Sequence, residues 1–156
     1  MNFKLDRKVY EEKKEKLLSK IEEKGLDAVC LFSPTFITHL TGFPFHSTER
    51  PIVYLFDNEK ESIVIPRLEK EHAEVRDIQF DEVHIYPDYP GKKHPMKCVK
   101  EMVEKKDYDK IAVDKDGYGS GYGYFGPSLS ELIDSEIEDI RLDLEKFFSV
   151  KHDKEI

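Results

Sequence analysis

GLDAVCLFSPTFITHLTGF, residues 25–43, decides how the rest of the chain is read. Ala28 to Phe32 is a short, almost wholly apolar run, the pattern of a strand covered on both faces. Ser33-Pro34 follows, the cap-then-proline entry to a helix. Thr35 to Leu40 is therefore predicted as one or two helical turns, broken at Thr41-Gly42. Beyond the break the chain runs through an aromatic, Pro-containing loop, FPFHSTER, to Arg50. Loops held by a rigid scaffold tend to carry binding groups. Phe43, Phe45, His46 and Arg50 are the side chains this one offers.

Toward the N-terminus, Asp6 to Lys24 reads as a helix. Tyr10, Leu17, Leu18 and Ile21 fall on one face at three- and four-residue steps. Asp6 caps the start, and Gly25 stops it in a conformation that only Gly adopts cheaply. Toward the C-terminus, Ile52 to Phe56 and Ser62 to Ile65 flank Asp57-Asn58-Glu59-Lys60-Glu61, the spacing of an antiparallel hairpin. A helix from Pro66 to about Val75 follows, then a strand at Glu82 to Tyr86 and a loop from Pro87 to Pro95. Met96 to Lys106 is helical, with Val99, Met102 and Val103 on one stripe. Lys110 to Asp114 is a buried strand ending in a carboxylate. Residues 117–126, GYGSGYGYFG, are too rich in Gly for regular structure. Ser128 to Ile133 is a short helix, Ile137 to Leu142 a last strand, and a helix begins at Leu144. Helices alternating with strands around one hairpin imply an α/β domain, with a mixed sheet and helices on both faces. No internal repeat or linker divides it.

The 156 residues suffice for one domain that folds unaided. A formal net charge of −8 argues against a nucleic-acid partner, because phosphate neutralisation needs clustered cations. Lys13-Lys14, Lys92-Lys93 and Lys105-Lys106 are isolated pairs flanked by acids and read as solvated surface. Cys30 and Cys98 form no framework, so both are expected to be buried thiols in a reducing compartment. With no signal-peptide core and no apolar run near the roughly 20 residues of a membrane span, the expected location is cytoplasmic, with no membrane partner.

Few residues suggest chemistry. Gly121 to Gly126 matches GxGxxG, but a dinucleotide site needs those glycines directly after a strand, so that pyrophosphate meets the next helix. Here six residues separate Asp114 from Gly121, and a surface loop is the preferred reading. His39 and His46 are separated by the Gly42 turn, while His84, Asp88 and His94 straddle a Pro-rich loop. Neither set has the spacing of a metal site. No nucleophile motif such as GxSxG is present. Asp114 ends a buried strand, where open α/β sheets place ligands, although capping the turn that follows is the plainer role. No catalytic residue and no metal ligand is assigned within the chain.

Four segments taken together resemble a known family. Gly25 to Phe43 resembles the GLDA–strand–PxxIxxLTGF signature of the N-terminal domain shared by creatinase, prolidase and aminopeptidase P. Ile63 to Glu74 (IVIPRLEKEHAE), Lys110 to Asp114 (KIAVD) and the closing FFSVKHDKEI are similar to later family segments, in the family's order. Two departures stand out: Phe148 occupies a position where Arg is usual, and His152-Asp153 replaces a Ser-containing step.

The resemblance implies a three-layer, ribonuclease H-like α/β fold, with a mixed six-stranded sheet and helices on both faces. It places the domain at residues 1–147, with 148–156 beginning a linker to a C-terminal "pita-bread" domain. Two Asp, one His and two Glu of that second domain would hold two divalent metal ions (Mn, Co or Zn). The chain would then be the substrate-gating and dimerising domain of a metal-dependent Xaa-Pro dipeptidase or aminopeptidase, inactive alone and acting on proline-containing peptides. Its expected partners are its own catalytic domain and a second subunit. Phe45, His46 and Arg50 are the candidate substrate-binding residues. Arg50 stands at the spacing of a family arginine that reaches the substrate carboxylate, a task suited to the two-pronged guanidinium. An ordinary exposed turn at Glu49-Arg50-Pro51 is the alternative. Two other readings share these residues: a non-catalytic protein-binding module of the same fold, and the N-terminal domain of a creatinase-type C–N hydrolase.

Overall fold

A computed structural model describes residues 6–44, 50–75, 80–87, 94–117 and 127–149. Phe45 and His46, most of the Gly/Tyr-rich segment and residues 150–156 lie outside this set. Helix α1 (Arg7–Glu23) begins at Asp6, whose carboxylate accepts the Lys8 N–H. Gly25, just past its end, sits at φ +75°. Strand β1 (Ala28–Leu31) and helix α2 (Pro34–Thr41) follow, then the hairpin β2 (Val53–Phe56) and β3 (Glu61–Pro66). Helix α3 (Arg67–Val75) crosses to β4 (Glu82–Tyr86). Helix α4 (Pro95–Glu104), β5 (Lys110–Val113), the single turn α5 (Leu129–Leu132), β6 (Glu136–Asp139) and α6 (Arg141–Ser149) complete the elements among the described residues.

The six strands form one sheet in the order β4-β3-β2-β1-β5-β6. β2 runs antiparallel to both β1 and β3, whereas β4 and β6 run parallel to their neighbours and β5 runs parallel to β1. Among the described residues five strands thus point one way and β2 points back. The ends of β1, β3, β4, β5 and β6 therefore share an edge with the start of β2. That edge receives Arg50 and Asp114.

The mixed sheet with helices on both faces agrees with the expectation. On one face Val29, Leu31, Tyr54, Phe56, Ile63 and Ile65 pack with Leu17 and Ile21 of α1, Ile37 and Leu40 of α2 and Leu144 of α6. On the other, Cys30, Val53, Leu55, Val64, Ile111 and Val113 pack with Met96, Val99, Met102 and Val103 of α4 and Leu129 of α5. Each such side chain contributes about 1.5–3 kcal/mol by leaving water. β1 is buried at all four positions, which is why its sequence shows no alternation. Cys30 and Cys98 are both buried free thiols, and burial pushes the Cys30 thiol up.

Three readings of polar residues need correction. Lys13 is not solvated: it is 8% exposed on the core stripe Val9-Lys13-Leu17-Ile21. Its ammonium reaches the His39 carbonyl at 3.4 Å and lies 5.7 Å from the Tyr10 ring centroid. A cation there serves one of the carbonyls that the end of α2 leaves open. Lys14 is ion-paired with Glu61. Lys106 bridges Asp57 at 2.8 Å and Glu59 at 2.7 Å. The acids flanking these lysines in sequence hide the partners that the fold supplies from distant strands.

Candidate functional site

The site candidate is built on the edge where β1 ends and β2 begins. Ser33 N-caps α2 with Pro34 in its first turn, and Gly42 closes it at φ +74°, donating its N–H to the Thr38 carbonyl at 2.8 Å. A Cβ at Gly42 would stand 2.8 Å from the tip of the Tyr10 ring, so a side chain there would have to displace that ring as well as adopt a strained backbone. Threonines then lock the turn. Thr38 Oγ1 donates to the Phe43 carbonyl at 2.9 Å, Thr41 Oγ1 donates to the Ile37 carbonyl at 2.7 Å, and Thr41 Oγ1 accepts the Phe43 N–H at 3.1 Å.

Phe43 is fully buried in the α1/α2 core. It anchors the start of the loop and is not among the exposed side chains that the loop was expected to offer. The loop returns at Arg50, which is half-buried with its Nε atom enclosed by protein. Tyr86, at the end of β4, donates its hydroxyl to the Pro51 carbonyl at 2.6 Å. Both ends of the loop are therefore tethered, one by Phe43 and the Thr pair, the other by Tyr86.

Asp114 completes the edge. Its two carboxylate oxygens accept the Phe32 N–H at 2.9 Å and the Ser33 N–H at 2.6 Å. Among the described residues, the carboxylate therefore caps the turn between β1 and α2, where the expectation was the turn that follows it in sequence. Burial raises its pKa, opposed by those two amides and by Lys115. The Tyr86 clamp escaped sequence reading. Its one signal is a buried tyrosine ending a half-exposed strand, since a buried hydroxyl needs a partner.

Three of the histidines, His39, His84 and His94, make local contacts. His39 stacks on Phe148 with ring centroids 5.0 Å apart. His94 N-caps α4, its Nδ1 accepting the Met96 N–H at 3.1 Å. His84 Nε2 stands 3.4 Å from a Glu82 oxygen. Among the described residues no group of three or more His, Cys, Asp or Glu converges as cation ligands.

At the opposite edge of the sheet lie two polar grooves. One, of about 410 Å³, is lined by α1 and the β2–β3 hairpin; the other, of about 420 Å³, by the turns entering β5 and β6. The hairpin groove is cross-linked by its own charges. Asp57 accepts from the Glu59 and Lys60 amides, from Lys106 and from the Tyr108 hydroxyl at 2.6 Å. Burial would raise its pKa, but those four donors bring it down to about 2.

Comparison with solved structures returns the same architecture. A proline dipeptidase from Streptococcus pneumoniae TIGR4 superposes with a TM-score of 0.68 at 21% identity, covering 88% of this chain and 97% of that one. The creatinase/prolidase N-terminal domain of an X-Pro dipeptidase from Streptococcus pyogenes gives 0.66 at 17% identity, covering 91% and 99%. An Xaa-Pro dipeptidase from Bacillus anthracis gives 0.68 at 20% identity; the match covers 94% of this chain but 38% of that one. No curated protein matches the sequence. The sequence model of the creatinase/prolidase N-terminal domain matches residues 13–142, and the chain belongs to that family.

Proposed function

We propose that this chain is the substrate-gating and dimerising domain of a metal-dependent Xaa-Pro dipeptidase or aminopeptidase, and that it does not hydrolyse peptides alone. The observation that carries the reading is the family match over residues 13–142. Support also comes from the Bacillus anthracis dipeptidase, of which a chain this size spans 38%. In this reading the tethered loop from Phe43 to Arg50 forms a wall over a catalytic centre in a second domain. Arg50, with Phe45 and His46, contacts the substrate, its guanidinium offering two parallel hydrogen bonds to a carboxylate. Two divalent ions (Mn, Co or Zn) belong to the second domain. When bound there, they would polarise the carbonyl before proline and lower the pKa of the attacking water.

The test has two arms. The 156-residue chain, supplied with Mn²⁺ or Co²⁺, is assayed for Xaa-Pro dipeptide hydrolysis; no turnover is expected, and genuine turnover would sink the reading. In the longer enzyme, Arg50→Ala should raise KM or lower kcat for dipeptides by about 10-fold or more, the scale of a lost charge-assisted hydrogen bond. Unchanged kinetics would remove Arg50 from the site.

A further inference from the structure

Arg50 is carried on a piece of backbone that is fixed from its C-terminal side. Pro51 follows it directly and is buried, and Ile52 and Val53 then enter opposite faces of the core. A proline ring fixes its own φ and steers the residue before it toward extended conformations. The backbone of Arg50 therefore follows wherever Pro51 is held. β2 begins only at Val53, so Pro51 precedes its ladder. What holds the Pro51 carbonyl is the Tyr86 hydroxyl, which donates to it at 2.6 Å.

Tyr86 makes this bond from two strands away. In the sheet β3 lies between β4 and β2, and Tyr86 is paired with Pro66, the last residue of β3. Neighbouring strands are about 4.8 Å apart, so β4 and β2 are separated by about 10 Å, a span that takes a long side chain. Tyr86 is 3% exposed and packs with Val53, Val64 and Met96. Its ring is gripped by the core and cannot follow a carbonyl that moves. A buried hydroxyl and a buried carbonyl each need a partner, and here they satisfy one another.

We infer that Tyr86 is a positioning residue for Arg50: its hydroxyl ties the Pro51 carbonyl across β3 and so fixes the point from which the guanidinium reaches a substrate carboxylate. The inference rests on the reading of Arg50 as a substrate contact. Tyr86 acts through Arg50 and is not itself a contact. Without the hydroxyl, Arg50 starts from a range of positions, and part of its binding energy goes into ordering the segment. A two-pronged guanidinium is sensitive to such displacement, because both hydrogen bonds depend on angle as well as distance.

Steady-state kinetics of the longer enzyme on Xaa-Pro dipeptides test this, comparing Tyr86→Phe, Arg50→Ala and the double variant. Tyr86→Phe keeps the ring and removes the hydroxyl. It should move the same constant as Arg50→Ala, in the same direction, by about fivefold, the scale of one lost hydrogen bond. In the Arg50→Ala background it should have no further effect, since the arginine it positions is gone. Tyr108→Phe is the control: it removes a hydroxyl bond to Asp57, also 2.6 Å long, at the opposite edge of the sheet, and should leave both constants unchanged. Arg50→Ala without effect would overturn the substrate-contact reading and this inference with it. With Arg50→Ala effective, a silent Tyr86→Phe, a loss additive to that of Arg50→Ala, or an equal loss in Tyr108→Phe would overturn the inference alone.

Discussion

Asp57 concentrates more electrostatic stabilisation than any surface ion pair of the domain should supply. It closes the hairpin turn and holds Lys106 and Tyr108, which come from the end of α4 and the turn before β5. Its pKa falls from the ordinary 3.8 to about 2, which at about 1.4 kcal/mol per pH unit corresponds to about 2 kcal/mol. The sign follows from the direction. A depressed carboxylate stabilises the fold above its unfolded pKa, and the contribution is lost as pH falls from about 4 to about 2. Glu82, held by Lys60 and Lys105 against its own desolvation and also brought to about 2, loses its contribution over the same window. Asp114 opposes them: its raised pKa gives a contribution that is present at low pH and fades as pH rises through the folded value. Urea denaturation at a series of pH values should therefore show a steep acid limb between pH 4.5 and 2, on the scale of these shifts. Asp57→Asn should lower stability by about 2 kcal/mol at neutral pH and converge with wild type near pH 2. Parallel curves down to pH 2 would show that Asp57 does not titrate as described.

At the scale of single elements, α2 is the helix on which the site loop depends. Eight residues are too few to hold a helix by propensity. What holds it is the proline entry, the Asp114 carboxylate behind its first turn, the Lys13 ammonium at its His39 carbonyl and the glycine at its end. Gly25 and Gly42 provide an internal comparison, since both take positive φ, at 75° and 74°. A Cβ at Gly25 meets nothing within 4 Å, whereas one at Gly42 runs into Tyr10. Gly25→Ala should cost about 1 kcal/mol, the backbone strain alone. Gly42→Ala should cost about 2 kcal/mol, because the Tyr10 ring must also move. Equal losses in chemical denaturation would mean that the ring moves freely. Helix α6 shows a similar dependence on tertiary contacts. Phe148, where the family resemblance leads one to expect Arg, stacks on Phe36 at 5.5 Å and on His39 at 5.0 Å. The helix runs to Ser149.

For the whole molecule, the sheet order predicts a gradient of local stability. β1 lies between β2 and β5 and is buried throughout, whereas β6 is paired on one side and mostly exposed. Local opening is cheapest where few apolar contacts are lost. Amide hydrogen exchange should accordingly be slowest in β1, β2 and β5, and faster in β6 by about tenfold or more. Equal protection across the sheet would contradict this ordering.

Periodicity, caps and turn chemistry were enough to place most elements of the domain, because these signals act over one or two turns of chain. The exception is the last strand, read as Ile137 to Leu142, which stops at Asp139 and gives way to α6 at Arg141. The run Ala28 to Phe32, the Ser33-Pro34 entry, the Gly42 stop and the Asp57 hairpin all lie where local chemistry puts them. Arg50 is legible as a candidate only through spacing in a family-like segment, and Phe45 and His46 fall outside the described residues. Tertiary structure decided the rest. It put Lys13 inside, made Phe43 an anchor, turned Asp114 toward the Ser33 turn and brought Tyr86 to Pro51, a partner 35 residues away. Each of these depends on which strands lie side by side, and strand order follows from how two apolar faces are covered at once. No window of sequence contains that information.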